Sequence, residues 1–132
     1  MANNAKFIAD VEKFADLTSK KMLAVARQSL QDTIRIAQTP VAQGGKLPVD
    51  TSFLRNSLVT EVRGATVGEG ANSYVLGISA LQLGDPFQVA WTAEYALPRH
   101  YMVGVGQGGG LWRDGAAQQW TRFVAQNAKA VQ

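Results

Sequence analysis

The distribution of glycine divides this chain before any other feature does. The first 43 residues contain none, and all 13 lie between Gly44 and Gly115. Glycine weakens helix interiors and permits the left-handed turns of loops and hairpins, so the front of the chain is free to form a long helix and the middle is not. Within the front, Phe7, Val11, Phe14, Met22, Val25, Ala26, Leu30, Ile34 and Ala37 recur at spacings of three and four among Lys, Asp, Gln and Arg. That period predicts an amphipathic helix over residues 5–38. The pattern slips at Asp16-Leu17-Thr18-Ser19, where Asp16 or Thr18 can cap a second helix, leaving open a short helix followed by a longer one. Pro40 supplies the stop by disfavouring the helical conformation at Thr39.

Residues 39–50 carry two prolines and an adjacent glycine pair and predict an exposed connection with little regular structure. Asp50 or Thr51 can then cap a helical turn running through Asn56. Residues 58–63 alternate and are rich in β-branched side chains, and residues 73–78 follow a glycine-rich turn at 68–72. These two runs predict a β-hairpin. A third strand is expected at residues 87–91 after Gly84-Asp85-Pro86, although Trp91 to Tyr95 can equally begin a helical turn. Leu111, Ala116, Trp120, Phe123, Val124 and Ala128 fall at near-helical spacing and predict a second amphipathic helix from residue 111 or 112 to about 130. The expected fold is α+β: a long N-terminal amphipathic helix, a small antiparallel sheet of three to four strands, and a C-terminal helix packed on the sheet.

With 132 residues and 46% hydrophobic content, the chain suits one domain, residues 1–132. Segments 40–48 and 103–111 are expected to be mobile, the latter because Gly104, Gly106 and the Gly108-Gly109-Gly110 run offer few side chains to bury. There is no cysteine, which removes disulfides, thiolate metal sites and thiol chemistry. No run reaches the about 18 apolar residues of a membrane span, and the first residues lack a signal-peptide core, so the chain reads as soluble and cytoplasmic when made.

Little in the sequence points to catalysis. His100 is the only histidine, so any Ser-His-Asp arrangement would rest on it alone, and the ten acidic residues are scattered without metal-ligand spacing. No cofactor and no metal are expected. The Gly104-x-Gly106-x-Gly108 series lacks the Gly-Lys-Ser/Thr of a phosphate loop and reads as a flexible loop. Thirteen basic against ten acidic residues give a net charge of +3, compatible with DNA or acidic proteins without requiring either. Lys20, Lys21, Arg27 and Arg35 on the first helix read as a solvated face, with nucleic-acid contact as the alternative. Arg55, Arg63, Arg99 and Arg113 lie near Tyr95, Tyr101 and Trp112 without a recognised single-strand-binding motif.

Three segments carry a resemblance. Thr39-Pro40-Val41 followed by Leu47-Pro48-Val49-Asp50-Thr51-Ser52-Phe53-Leu54-Arg55-Asn56-Ser57-Leu58 resembles the Pro-Val-Asp-Thr-Gly-x-Leu-Arg-x-Ser segment that follows the first helix in head-to-tail joining and tail-completion proteins of long-tailed bacteriophages. Tyr95-Ala96-Leu97-Pro98-Arg99-His100-Tyr101 is similar to that family's Tyr-Ala-x-x-x-His-Tyr-Gly segment, and Trp112-Arg113 with the helix around Trp120 to its C-terminal end. Ser52 and Met102 stand where the family has glycine, and residues 42–46 look like a small insertion.

The resemblance implies a non-enzymatic virion subunit at the head-to-tail joint, a tail-terminator, tail-completion or neck protein. It would be made in the host cytoplasm and built into a ring, most often a hexamer. Partners would be the tail tube protein and the head-completion proteins on the portal side, with non-specific contact to passing DNA and no membrane. Candidate interface residues are Asp50, Thr51, Leu54, Arg55, Arg99, His100, Trp112 and Arg113, chosen by residue type and place in the motifs. Asp50 and Thr51 suit N-caps and Phe53 and Leu54 anchors, with Arg55 projecting toward a carboxylate or phosphate. The same residues can equally just pin a helical turn to the sheet. The other classes in play are a small basic DNA-binding module and an enzyme or toxin-like factor with an unrecognised site.

Overall fold

The computed structural model describes residues 2–48, 52–103 and 109–131, with side chains from Thr18 onward. Helix α1 runs without interruption from Ala2 to Ala37, so the slip at residues 16–19 does not divide it. At 1.5 Å per residue it is about 54 Å long. Its described part is exposed on every side at residues 18–22, and burial begins farther on, at Ser29, Ile34, Ala37 and Gln38. The end is set by Pro40, which has no N–H to give, and by the Thr39 hydroxyl, which donates back to the Arg35 carbonyl at 2.7 Å.

The connection after α1 is more ordered than its composition suggests. Val41–Gln43 form a 3₁₀ turn closed by Gly44 in the left-handed region, and Pro40 and Leu47 form a parallel bridge. Leu47 is fully buried, and burying that one apolar side chain brings the loop back onto the domain. A short helix α2, Phe53–Asn56, leads into strand β1, Leu58–Val62, which alternates as expected with Leu58, Thr60 and Val62 inward.

The partner of β1 differs from the expected one. A two-residue turn at Arg63 and Gly64, both with positive φ, pairs β1 with strand β2, Ala65–Glu69. Residues 73–78, expected as the second hairpin strand, instead belong to helix α3, Ser73–Ala80. Ser73, Tyr74, Gly77 and Ile78 are buried, a helical stripe that lies against β1. The close approach depends on Gly77, where a Cβ would stand 2.5 Å from the Thr60 Cγ2. The Thr60 and Ser73 hydroxyls hydrogen-bond at 2.9 Å beneath it, so the two buried hydroxyls satisfy one another.

Strand β3, Phe87–Trp91, adds to the other side of β1, giving an antiparallel sheet of order β2-β1-β3. Helix α4, Ala96–His100, follows; then the expected single C-terminal helix divides at Gln118 and Gln119 into α5, Trp112–Ala117, and α6, Trp120–Ala130. Of the expected helix, α5 meets the sheet through Trp112 against Trp91, whereas α6 has its main contact with α1. The Asn127 amide donates to Ser29 Oγ and Asp32 Oδ2, both at 3.1 Å, while Gln119 lies near Ile36, so α6 runs back antiparallel along α1. The opposite side of α1 carries Ile34 into the sheet core with Leu58, Tyr74 and Ile78. A second core gathers Leu47, Leu54, Ala93, Ala96 and Trp112 against Trp91. The fold is therefore α+β, with a helical layer and a three-stranded sheet sharing α1.

Candidate functional site

The second core is where the motif segments meet. Leu47 and Leu54 come from the first segment, Ala96 from the second and Trp112 from the third, with the Trp91 and Trp112 rings edge to face at 5.9 Å. Beside it stands Gln38, buried at the end of α1, with every polar atom of its side chain used. Its Nε2 donates to the carbonyls of Arg55 at 3.0 Å and Ala71 at 2.9 Å, and its Oε1 accepts from Trp91 Nε1 at 2.8 Å. Arg55 Nε donates in return to the Gln38 carbonyl at 3.1 Å. One amide thus joins α1 to α2, to the turn before α3 and to β3. Sequence reasoning passed over Gln38, because a glutamine at a helix end reads as solvated.

His100 plays a similar part for α5. The residue before that helix, Leu111, has a positive φ and no polar side chain with which to cap it. The cap comes from His100 Nε2, which accepts from the Arg113 N–H at 3.2 Å. The Asp114 N–H also points there, at the long distance of 3.5 Å. An accepting Nε2 places the imidazole proton on Nδ1, which is buried without a partner. Burial holds the His100 pKa below its ordinary value and the Arg113 charge pushes the same way, while Asp114 opposes both. The ring is therefore neutral at pH 7, packed edge to face on Trp112 and Tyr101, each at 4.8 Å. Its basic nitrogen accepts from main-chain N–H groups of α5.

The eight candidate interface residues separate accordingly. Leu54, Arg99, His100 and Trp112 are 1%, 7%, 3% and 2% exposed, so they belong to the interior and are not surface contacts of this chain. Arg99 donates from Nη1 to the Met102 carbonyl at 2.6 Å, and Trp112 is held by ring packing on Trp91 and His100. Arg55 is half-buried on Gln38 and does not simply project. Of the described candidates Arg113 alone is well exposed, while bonded to Tyr101 Oη at 3.0 Å and Asp114 Oδ1 at 3.1 Å. Asp50 and Thr51 lie outside the described residues, as does most of the expected mobile segment, 104–108.

The surface around this core includes a set of large apolar side chains. Phe53, Tyr95, Leu97, Tyr101, Met102 and Val103 are exposed on and beside α2 and α4. Next to them a cleft of about 280 Å³ follows β3, bordered by Gln88, Ala90, Leu97, Trp112 and Arg113. A larger apolar groove of about 620 Å³ lies between α1 and α6, lined by Met22, Val25, Leu83, Trp120 and Val124. Among the described residues no three His, Asp or Glu side chains stand close enough to hold a metal, and no helix is long and apolar enough to cross a membrane. No family model, no curated protein and no solved structure matches the chain.

Proposed function

We propose that the chain is a structural, non-enzymatic subunit of the head-to-tail joint of a long-tailed bacteriophage, a ring-forming neck or tail-completion protein that connects the tail tube to the portal side. The observation that carries this reading is the convergence of the three motif segments. Leu47, Leu54, Ala96 and Trp112 share one core although they are far apart in the chain, and Arg55 and His100 each hold the end of a helix beside it. Residues that form a fold's internal frame keep their types and spacing, which accounts for the resemblance at Leu54, Ala96, His100 and Trp112, the buried members of the motifs.

In such a subunit the contacts with neighbours fall to the exposed apolar residues of α2 and α4 and to the open edges of the sheet. Contact with passing DNA falls to the helical layer. Lys20, Lys21 and Arg27 on α1, and Arg122 and Lys129 on α6, lie on stretches without a carboxylate, residues 18–31 and 120–131. Phosphate contacts made there would be independent of sequence. The same basic layer favours the second reading, a small DNA-binding module. Affinity for free duplex that falls steeply with salt, in the absence of any phage protein, would mark that second reading.

Immunogold labelling of particles of the phage that carries the gene tests the proposal. Gold is expected at the head-to-tail joint. Particles without label, from lysates in which the protein is abundant, would contradict it.

A further inference from the structure

In the sheet order β2-β1-β3 only the central strand is paired on both sides. Among the described residues, no main-chain group outside the sheet bonds to residues 65–69 or 87–91, so β2 and β3 each turn one row of N–H and C=O groups outward. Open edges of this kind are normally blunted by charge or proline. The β3 edge, Phe87-Gln88-Val89-Ala90-Trp91, has neither within it. It also borders the cleft described above, which leaves room beside the strand.

We propose that neighbouring copies join edge to edge, the outer edge of β2 on one copy entering the cleft along β3 of the next, so that the sheets continue around the assembly. Both strands are five residues long. β2 offers small residues for close approach at Ala65 and Gly68, is exposed along nearly its whole length, and ends in Glu69, opposite in charge to the exposed Arg113 at the cleft. The two edges are different surfaces, so the contact is heterologous and closes into a ring when the rotation allows. Both strands run antiparallel to β1 and hence parallel to each other, so cyclic symmetry about an axis along the strands makes the new pair parallel, at a spacing of about 4.8 Å. This contact rests on the ring reading above.

The chain has no cysteine, so introduced pairs report without background. Thr66 and Gln88 both pair with Glu61 and so share one face of the sheet, as does Ala90 opposite Val59. The full-length chain carrying Thr66→Cys with Gln88→Cys, and a second version with Thr66→Cys and Ala90→Cys, are concentrated and oxidised. A ladder of dimers, trimers and higher species is expected from at least one pair on a non-reducing gel, collapsing on reduction and absent from the single variants. Doubles that give no ladder would overturn the contact, as would dimers from Ala90→Cys alone, which indicate a two-fold β3–β3 pairing. A lysine-directed cross-linker on the unaltered chain separates the two levels: rings captured without a disulfide ladder leave the ring reading standing, and no multimer by either route removes both. Ala90→Lys, an exposed change, is expected to abolish the cross-linked multimers while preserving the unfolding midpoint; multimers that persist would count against the edge.

Discussion

Gln38 and Arg55 hold each other through side chain and main chain: the Gln38 amide donates to the Arg55 carbonyl at 3.0 Å, and Arg55 Nε donates to the Gln38 carbonyl at 3.1 Å. The pair fastens the end of the long helix to the start of the sheet. Gln38→Ala leaves the Arg55 and Ala71 carbonyls and the Trp91 indole N–H without their partner, and a buried unpaired group costs about 1–3 kcal/mol. The expected loss is about 3 kcal/mol or more, read from urea unfolding. Gln38→Glu, which loses the donor and sets a carboxylate against two carbonyls, is expected to be worse. A loss below about 1 kcal/mol for Gln38→Ala would show that water replaces the amide.

His100 gives the domain a dependence on pH whose sign is fixed by its surroundings. Its folded pKa lies below the ordinary 6.5, so the unfolded chain binds the proton more readily. The contribution to stability is full above about pH 6.5 and is lost as pH falls through the lowered folded value. Since His100 is the only histidine, its ring resonances in a proton NMR titration identify themselves. Their midpoint is expected below 6.5; a midpoint above it would mean a protonated ring paired to Asp114. His100→Gln is expected to remove this part of the pH dependence and to cost about 1 kcal/mol at neutral pH through loss of the α5 cap.

Gly77 separates helix propensity from packing. Alanine in a helix interior gains about 1 kcal/mol over glycine, yet here its Cβ meets Thr60 Cγ2 at 2.5 Å and Phe87 Cε2 at 3.0 Å. Overpacking a core costs about 1–3 kcal/mol, so Gly77→Ala is expected to destabilise in thermal or urea unfolding. Thr60→Ser removes the methyl while keeping the hydroxyl for Ser73, and in the double variant is expected to restore part of the loss. Additive effects of the two changes would contradict the contact.

The elements that the sequence reveals are those whose pattern is local. α1 is written in a glycine-free stripe, β1 in strict alternation, β3 in a short apolar run after a turn. α3 is not local: Ser73-Tyr74-Val75-Leu76-Gly77-Ile78 has the residues of a strand, and its helical form is secured by the fit of Gly77 over Thr60, a contact between elements. The turn before β2 is disguised in the sequence, because Arg63 occupies a positive-φ position usually held by Asn, Asp or Gly. At the candidate site, the residue types Arg, His and Trp point to an interface. Arg99, His100 and Trp112 prove to be internal, because each packs or bonds within the chain, whereas Gln38 carries no signal until its partners are seen.

The most direct test of the neck assignment is electron microscopy of lysates from the phage in which this gene carries an early stop codon. Filled heads and separate, unjoined tails are the expected result, with tail length telling whether the ring serves the tail or the portal side. Intact infectious particles would contradict the assignment and bring the DNA-binding reading forward.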